Sequence, residues 1–368
     1  MLKHHITMII DGLPGGGAEK VVLTLAQGFL QQGHKVSLLS LRDVCNYPLP
    51  DGLDYRVVAD NAHGALRKLT ELTRRAHQLD RAFSTLQDER GTVDLVLSNL
   101  HKTDRIVSRS RVIPHQKVWF CLHGVMSASY LGHRTGLSRW LKRRKIQRVY
   151  QGKNITGVSH FVTEDLCQQF AVRPAQQKVI YNPFDFNAIT AAAFENVPLA
   201  TKSYLLHVGR FHAVKRHDRL LRAYALSGLT VPLILLGEGS ESARHKLQTL
   251  AKELNIADRV IFQGFDPNPY RWIKHARQLI LSSDSEGFGN VLVEALICGT
   301  QIVSTRCPGG PAEIMTGAFA AGLADLTPES LARAMVTIDQ HPVTIDPASL
   351  QSYRLEVICG QYLSLIPA

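Results

Sequence analysis

The sequence predicts an α/β protein made of two doubly wound domains, each a parallel sheet flanked by helices. Three observations carry this. Short runs of Val, Ile and Leu, the pattern of strands buried on both sides, alternate with helical patterns through most of the chain. Glycine clusters stand where a strand passes into a helix, first at Gly15–Gly17 and again at Gly309–Gly310. The alternation breaks once, between Pro183 and Lys202, and resumes as a second series. A length of 368 residues is enough for two domains, and 45% hydrophobic with 20% charged residues suits a globular chain with a sizeable core.

His5–Ile10 reads as the first strand, followed by Asp11-Gly12-Leu13-Pro14 and the three glycines. Ala18–Gln31 is then an amphipathic helix closed by Gly33, and Lys35–Ser40 is the second strand. Strand, glycine loop, helix and strand make a βαβ unit, which favours a parallel sheet. Leu66–Arg90 reads as a polar helix, and Val93–Ser98, Val118–Leu122, Ile155–Ser159 and Lys178–Tyr181 continue the strands. Pro183–Lys202, containing Pro198, is expected to be the linker. In the second series, strands at Tyr204–Val208, Pro232–Leu236, Arg259–Gln263, Leu279–Leu281 and Gln301–Ser304 alternate with helices at His217–Leu226, Glu241–Leu254, Pro269–Ala276 and Gly289–Cys298. The domains are expected at 1–185 and 203–350, with a helical segment at 351–368. In such sheets ligands bind beyond the carboxyl ends of the strands, where all these glycine loops lie, and two facing domains leave a cleft.

Composition excludes several classes. No apolar run reaches the roughly 18 residues of a spanning helix. The N-terminus MLKHHITMIIDGLPGG suits a first strand better than a signal peptide. Cys45, Cys121, Cys167, Cys298, Cys307 and Cys359 form no CxxC pair and mostly sit in apolar context, so reduced core thiols and a cytosolic setting are expected. The net charge of +11 is unevenly spread: residues 1–185 hold 26 Lys/Arg against 15 Asp/Glu, and residues 186–368 hold 16 of each. That asymmetry points to an anionic partner for the first domain.

Ser283–Ile314 is the most informative stretch. A strand enters a Ser/Asp turn, a Gly-Phe-Gly loop and a short apolar helix; a second strand leads to Gly309-Gly310-Pro311 and another helix. A helix N-terminus offers unpaired N–H groups and the positive end of the dipole, which suits phosphate. Glu286 and Glu294 bracket the first loop, and carboxylates accept hydrogen bonds from hydroxyls. Phosphate donors beside hydroxyl acceptors suggest a nucleotide sugar. Glu294, expected in the first turn of its helix and followed by apolar residues, needs a partner if buried. Arg210 and Lys215, in VGRFHAVK between a strand and a helix, match a diphosphate as fork and point charge. Gly15–Gly17 lets a ligand approach the backbone closely, or is merely a tight turn. His123 closes the strand VWFCL, and Gly124 leaves it open.

The segment E-GFGNVLV-E-A, the Gly-Gly-Pro-x-Glu-Ile that follows and VGR-x4-K together resemble the donor site of retaining glycosyltransferases of family 4 (glycosyl transferases group 1), in particular those of lipopolysaccharide and polysaccharide synthesis. The resemblance implies a GT-B fold with a central cleft, in which the final helical pattern, Tyr353–Leu363, crosses back onto the first domain. It implies that Glu294 meets the donor ribose, Glu286 the transferred sugar, and Arg210 and Lys215 the phosphates. Backbone groups of Phe288, Gly289 and Asn290 would meet sugar or phosphate, Gly264 and Phe265 the nucleobase, and Glu238 the neighbourhood of the donor. Gly16 and Gly17 would face the sugar and diphosphate. His123 would either bond a sugar hydroxyl or help the diphosphate depart, and Asn182 would be structural. No DxD metal signature is present, so no metal or other cofactor is expected. A UDP-sugar 2-epimerase of the same fold, or a catalytically silent binding protein, are the alternatives; the intact Arg210, Lys215, Glu286 and Glu294 speak against both.

The second notable feature is SRWLKRRKIQRVYQGK, Ser138–Lys153. It carries Arg139, Lys142, Arg143, Arg144, Lys145, Arg148 and Lys153 with no acid, interleaved with Trp140, Leu141, Ile146, Val149 and Tyr150. A basic amphipathic helix reads as a membrane-surface element. A solvated face and nucleic acid are the competing readings, and no nucleic-acid motif accompanies it. The expected partners are therefore a nucleotide-sugar donor, a glycolipid or polysaccharide acceptor and an anionic membrane, with the protein peripheral on the inner face of the cytoplasmic membrane.

Overall fold

β1 (His5–Ile10) is buried at every position because it lies inside a seven-stranded sheet. The structure, a computed structural model, describes residues 2–60, 67–197 and 203–367. Leu66 and Pro198, placed by sequence in a helix and a linker, lie outside the described residues. By its contacts the chain divides into one unit that runs to Pro183 and takes in the segment from Tyr353 onward, and a second unit, Phe184–Ser352.

In the first unit β1 is followed by α1 (Gly17–Gln31), β2 (Lys35–Ser40), β3 (Asp54–Val57), α2 (Arg67–Arg90), β4 (Leu95–Asn99), α3 (His101–Val107), β5 (Val118–Leu122), α4 (Met126–Tyr130), α5 (Gly136–Tyr150), β6 (Asn154–Gly157), α6 (His160–Phe170) and β7 (Gln176–Val179). The strands are parallel, in the order β3-β2-β1-β4-β5-β6-β7. Chain order reverses between β1 and β4, which is where ligands bind in doubly wound sheets. β3, DYRV, was not foreseen: as an edge strand it is only half-buried and shows no apolar run. β7 begins earlier than expected and is another largely exposed edge.

The second unit opens with α7 (Phe186–Ala193), which corrects the reading of Pro183–Lys202 as linker throughout. Asp185 caps this helix by accepting from the Ala188 N–H at 2.9 Å, and Ile189 and Ala193 are buried. The chain continues through β8 (Leu205–Val208), α8 (His217–Ser227), β9 (Leu233–Leu236), α9 (Glu241–Glu253), β10 (Val260–Gly264), α10 (Pro269–His275), β11 (Gln278–Leu281), α11 (Asn290–Ile297), β12 (Gln301–Thr305), α12 (Pro311–Ile314), β13 (Leu323–Ala324) and α13 (Pro328–Gln340). The parallel order is β10-β9-β8-β11-β12-β13, with its reversal between β8 and β11.

The last helix, α14 (Leu355–Leu363), belongs to the first unit. Leu355, Ile358, Cys359 and Tyr362 join Val22, Leu25 and Phe29 of α1 in one core. The helices approach so closely at Gly28 that a Cβ there would lie 2.6 Å from both Cys359 Sγ and Leu355 Cδ1.

Candidate functional site

In the second unit the loops after β8 and β11 flank the reversal point, and they carry the main sequence-derived candidates. Lys215 ends a short 3₁₀ turn, Ala213–Lys215, and its Nζ donates to Glu286 Oε1 at 2.7 Å. Ser283 Oγ donates to the same oxygen at 2.5 Å. The two loops are braced by backbone as well: Asp284 N–H donates to Val214 O at 2.8 Å, and Ser282 Oγ to Lys215 O at 2.7 Å. Arg216 turns away through a left-handed backbone (φ 48°) to pair with Asp218 and Asp284. Arg219 also holds Asp284, at 2.6 Å. Both arginines are therefore structural ties, and Arg210 is exposed with no side-chain hydrogen bond or ion pair among the described residues.

The Gly309–Gly310 turn packs behind Glu286. Gly309 has φ +123°, and a Cβ on it would stand 1.6 Å from Glu286 O; one on Gly310 would stand 2.3 Å from Phe288 O. Glu286 N–H donates to Pro308 O at 3.0 Å, so the second glycine turn sets the height of the first. Phe288 is 2% exposed, with its ring 6.4 Å from that of Phe184, so its side chain anchors the loop in the core. Gly289 caps α11 at φ 96°, and Asn290 is its first residue.

Glu294 lies in the second turn of α11, not the first, because the helix starts only at Asn290. It is 6% exposed and accepts from the Tyr270 hydroxyl at 3.3 Å, a partner on α10 that spacing does not reveal. Glu238 and Gly264 stand one loop further along the sheet. Gly237 N–H donates to Gly264 O at 2.7 Å and Phe211 N–H to Glu238 O at 2.7 Å, which laces the ends of β8, β9 and β10 together. A cavity of about 450 Å³ opens there, lined by Phe211, Glu238, Arg244, Phe262 and Gly264 among others. Phe265 beside it is 69% exposed.

In the first unit Gly16 caps α1 and accepts from the Tyr47 hydroxyl at 2.9 Å; Gly17 is exposed with open space where a side chain would stand. His123 Nε2 contacts Asn99 Oδ1 at 2.9 Å. Asn99 donates from its amide nitrogen to Leu97 O and Ile9 O, at 3.0 and 3.4 Å, so it presents its oxygen to the ring. Nε2 therefore carries the proton. Nδ1, which has no partner among the described residues, keeps its lone pair. Burial lowers the His123 pKa to about 4, so the ring is neutral near pH 7 and Nδ1 is an acceptor with its lone pair free.

The basic helix is α5. Ile146, Val149 and Tyr150 are buried, whereas Leu137, Trp140 and Leu141 are 71, 50 and 45% exposed. The apolar residues read from sequence as one set thus serve two faces. The Arg144 guanidinium lies 5.2 Å from the Trp140 ring centre. Lys153 sits beyond the helix, where its Nζ lies 3.3 Å from His115 Nδ1. No helix among the described residues is long and apolar enough to cross a membrane.

The chain matches two family models, one described as Glycosyltransferase Family 4 over residues 15–188 and one described as Glycosyl transferases group 1 over residues 190–338. It is 29% identical over 312 residues to the N-acetylgalactosamine-N,N'-diacetylbacillosaminyl-diphospho-undecaprenol 4-alpha-N-acetylgalactosaminyltransferase of Campylobacter jejuni, with 83% of this chain and 82% of that one covered. It is 34% identical over 143 residues to the lipopolysaccharide 1,6-galactosyltransferase of Escherichia coli, over 37% of this chain and 38% of the other. Among solved structures, Anabaena Alr3699/HepE in complex with UDP-glucose aligns with a TM-score of 0.75 at 18% identity over 98% of both chains. WaaG, a glycosyltransferase involved in lipopolysaccharide biosynthesis, aligns at 0.68 with 16% identity over 99% of this chain and 100% of its own. At such identities the likeness is one of fold.

Proposed function

The chain belongs to the glycosyltransferases, family 4 in its first half and group 1 in its second, and from that premise we propose a specific reaction. It moves a hexose or N-acetylhexosamine from a UDP-sugar, with retention of configuration, to a glycolipid or polysaccharide acceptor of cell-surface glycan synthesis at the membrane surface. The observation that carries this is the meeting of Lys215 and Glu286 at the reversal point of the second sheet, with Arg210 exposed in the same loop after β8 as Lys215. A cation and a carboxylate fixed at one point suit a diphosphate joined to a sugar: the cation stabilises the leaving phosphate, and the carboxylate faces the positive charge that develops on the sugar. HepE supports the choice of UDP, since it is described with UDP-glucose. The Campylobacter relative, named for a diphospho-undecaprenol acceptor, supports a lipid-linked one.

In this reading Lys215 and Arg210 hold the donor diphosphate, and Glu294 with Tyr270 meets the ribose. Gly264, Phe265 and Glu238 border the base. The bond from the anomeric carbon to the phosphate oxygen breaks, and the acceptor oxygen bonds the same face. The acceptor proton passes to the departing phosphate, so no protein nucleophile is needed. Two cations at the phosphates take the place that a metal holds elsewhere. His123 Nδ1 accepts from a sugar hydroxyl.

Thermal unfolding with UDP-, GDP- and ADP-sugars tests the donor assignment, because a bound ligand stabilises by mass action. A rise with UDP-sugars is expected; no rise with any nucleotide sugar rejects it. Conversion of a UDP-sugar to its 2-epimer without acceptor would favour the epimerase instead. Neutralising Arg143, Arg144 and Lys145 together is expected to weaken vesicle binding, and unchanged binding removes the membrane role.

A further inference from the structure

Three polar side chains, Asp104, Tyr150 and His101, form a hydrogen-bonded relay through the interior of the first unit, and it ends at a cavity of about 910 Å³ between α3 and α5. Asp104 of α3 is completely buried. Its Oδ1 accepts from the Ser98 hydroxyl at 2.6 Å, and its Oδ2 lies 2.7 Å from the Tyr150 hydroxyl. The same hydroxyl lies 2.9 Å from His101 Nδ1. His101 lines the cavity, and its other ring nitrogen, Nε2, has no hydrogen-bond partner among the described residues.

Counting hydrogens fixes what the relay can do. A phenol has one hydrogen and gives it to one neighbour at a time. Ser98 is 0% exposed, and its hydroxyl has no partner but Asp104 among the described residues, so its hydrogen stays on Oδ1. An acid proton on Asp104 therefore belongs on Oδ2, facing Tyr150. With Asp104 ionised, Tyr150 donates to Oδ2 and accepts from His101 Nδ1–H, and Nε2 keeps a bare lone pair. With Asp104 protonated, Oδ2–H donates to Tyr150, Tyr150 donates to His101 Nδ1, and the ring hydrogen is on Nε2. The two arrangements differ by one proton: it enters at Nε2, and each hydrogen shifts one bond toward Asp104. No donor or acceptor inside the relay is left unmet in either.

Of the three groups only Asp104 titrates near neutrality. Burial raises it to about 8, against the hydroxyls of Ser98 and Tyr150, which lower it. Burial and then Asp104 hold Tyr150 well above its ordinary value, so it keeps its hydrogen. Burial, then Lys142 and Arg105, lowers His101 to about 3, so its ring is neutral. The neighbouring elements supply Tyr130 of α4, Cys121 of β5 and Lys142 of α5. The Tyr130 ring meets His101 edge-on at 4.8 Å, and burial raises its hydroxyl. Burial likewise raises Cys121, to about 12. Lys142 Nζ lies 4.7 Å from the Tyr130 ring centre and is lowered by burial and then by Arg105, Arg134 and Lys145. No charged side chain of α2, which also packs on α3, is among the groups that shift Asp104.

The relay also stands where a ligand is expected. His101 is the first residue of α3, just beyond the carboxyl end of β4, the side on which doubly wound sheets bind. Ser98 and Asn99 are consecutive on β4; the first holds Asp104 and the second holds His123. We propose that His101 is a ligand-binding residue of the first unit and that Asp104, acting through Tyr150, is its positioning residue: protonated Asp104 fixes the tautomer with Nε2–H toward the cavity, where it donates to an acceptor-substrate oxygen that can only accept, such as a carbonyl. Ionised Asp104 turns the same nitrogen into an acceptor and that bond is lost. The glycosyl acceptor as ligand rests on the transferase reading; the relay itself does not.

Nitrogen-15 spectra of the histidine rings test this on the full-length protein, because a protonated ring nitrogen and a bare one resonate far apart. Between about pH 6 and about pH 9.5 the His101 ring is expected to pass from Nε2–H to Nδ1–H with a midpoint near 8. Asp104→Asn, whose amide donates to Tyr150 as the protonated acid does, should keep Nε2–H throughout. Tyr150→Phe cuts the relay and should abolish the inversion. A ring that ignores pH in the unmodified protein, or an inversion that survives Tyr150→Phe, overturns the proposal. N-acetylglucosamine, whose amide carbonyl only accepts, is the ligand probe. It should shift the His101 Nε2 signal at about pH 6.5 but not at about pH 9.5, and at both in Asp104→Asn; no shift at either pH overturns the binding role. Thermal stabilisation by UDP-sugars is read on the same protein. If it is present while the ring ignores pH, the relay falls and the transferase reading stands. If it is absent while the ring inverts, the transferase reading falls and the relay stands without a glycosyl acceptor.

Discussion

Lys215 and Glu286 are 71 positions apart in the chain, and one hydrogen bond of 2.7 Å joins them. Each satisfies the other; in the proposed reaction the donor diphosphate competes for the lysine and leaves the carboxylate to face the sugar. Glu286→Gln keeps a hydrogen-bonding side chain for Lys215 and Ser283 but removes the charge. Steady-state transfer is expected to fall by about 10²–10³, with little change in the denaturation midpoint. Equal transfer rates would remove Glu286 from the chemistry. A second residue-scale outcome concerns His123. Asn99→Asp would place a carboxylate against its Nε2–H and raise a pKa that burial now holds at about 4. In the role proposed for His123 the neutral ring is the accepting form, so activity is expected to fall as pH falls through that pKa. The acid limb of the kcat/KM profile should therefore move up by about one unit or more in the variant. The loop positions of Arg210, Lys215, Glu286 and His123 were readable in the chain because each follows a strand, whereas Glu294 was read one helical turn too early. Asn99, Tyr270 and Ser283 were not readable, since their roles come from strand neighbours and helix packing. Nor does the chain say that Arg216 is a tie to Asp218 and Asp284 while its neighbour Lys215 faces the site; a left-handed turn decides that.

Among elements, the central strands were legible because burial on both faces demands an unbroken apolar run, as in VWFCL and LILL. Edge strands escape that demand, which is why DYRV was missed. α7 was missed because eight residues of FNAITAAA beside two prolines leave little room for a helical period to repeat. The packing of α14 on α1 yields a direct test. Ala is normally the better helix residue by about 1 kcal/mol, yet Gly28→Ala would drive a methyl into Cys359 and Leu355. The expected outcome is a net loss of about 1–3 kcal/mol in chemical denaturation, as for other overpacked cores. A neutral or stabilising result would mean that α14 shifts freely.

For the whole molecule, the clearest expectation is pH dependence. His101, His123 and His217 have pKa values lowered to about 3, 4 and 4, and His207 is held well below the ordinary value, in every case chiefly by burial. Each is neutral in the fold and protonates near pH 6.5 when unfolded. Their contribution is therefore complete above about pH 6.5 and is lost as pH falls toward the folded values, by up to about 1.4 kcal/mol per pH unit for each. Asp104, raised to about 8, acts in the opposite sense and offsets one of the four. Denaturation between pH 7 and about pH 5 should show stability falling with acid, and His217→Asn should flatten that slope by about one proton.

The membership of α14 in the first unit also bears on how the protein is made. The second unit is one continuous stretch, Phe184–Ser352, whereas the first takes its beginning from one part of the chain and its last helix from another. On the ribosome the second unit therefore has all its residues before the first does, although it is synthesised later. Until residues 355–365 emerge, the apolar face of α1 that meets Leu355, Ile358, Cys359, Tyr362 and Leu365 stays uncovered. A chain stopped after Ser352 should hold an intact second unit and a first unit that binds hydrophobic dyes and is degraded first. The unit that carries the basic helix α5 is thus the last to be completed.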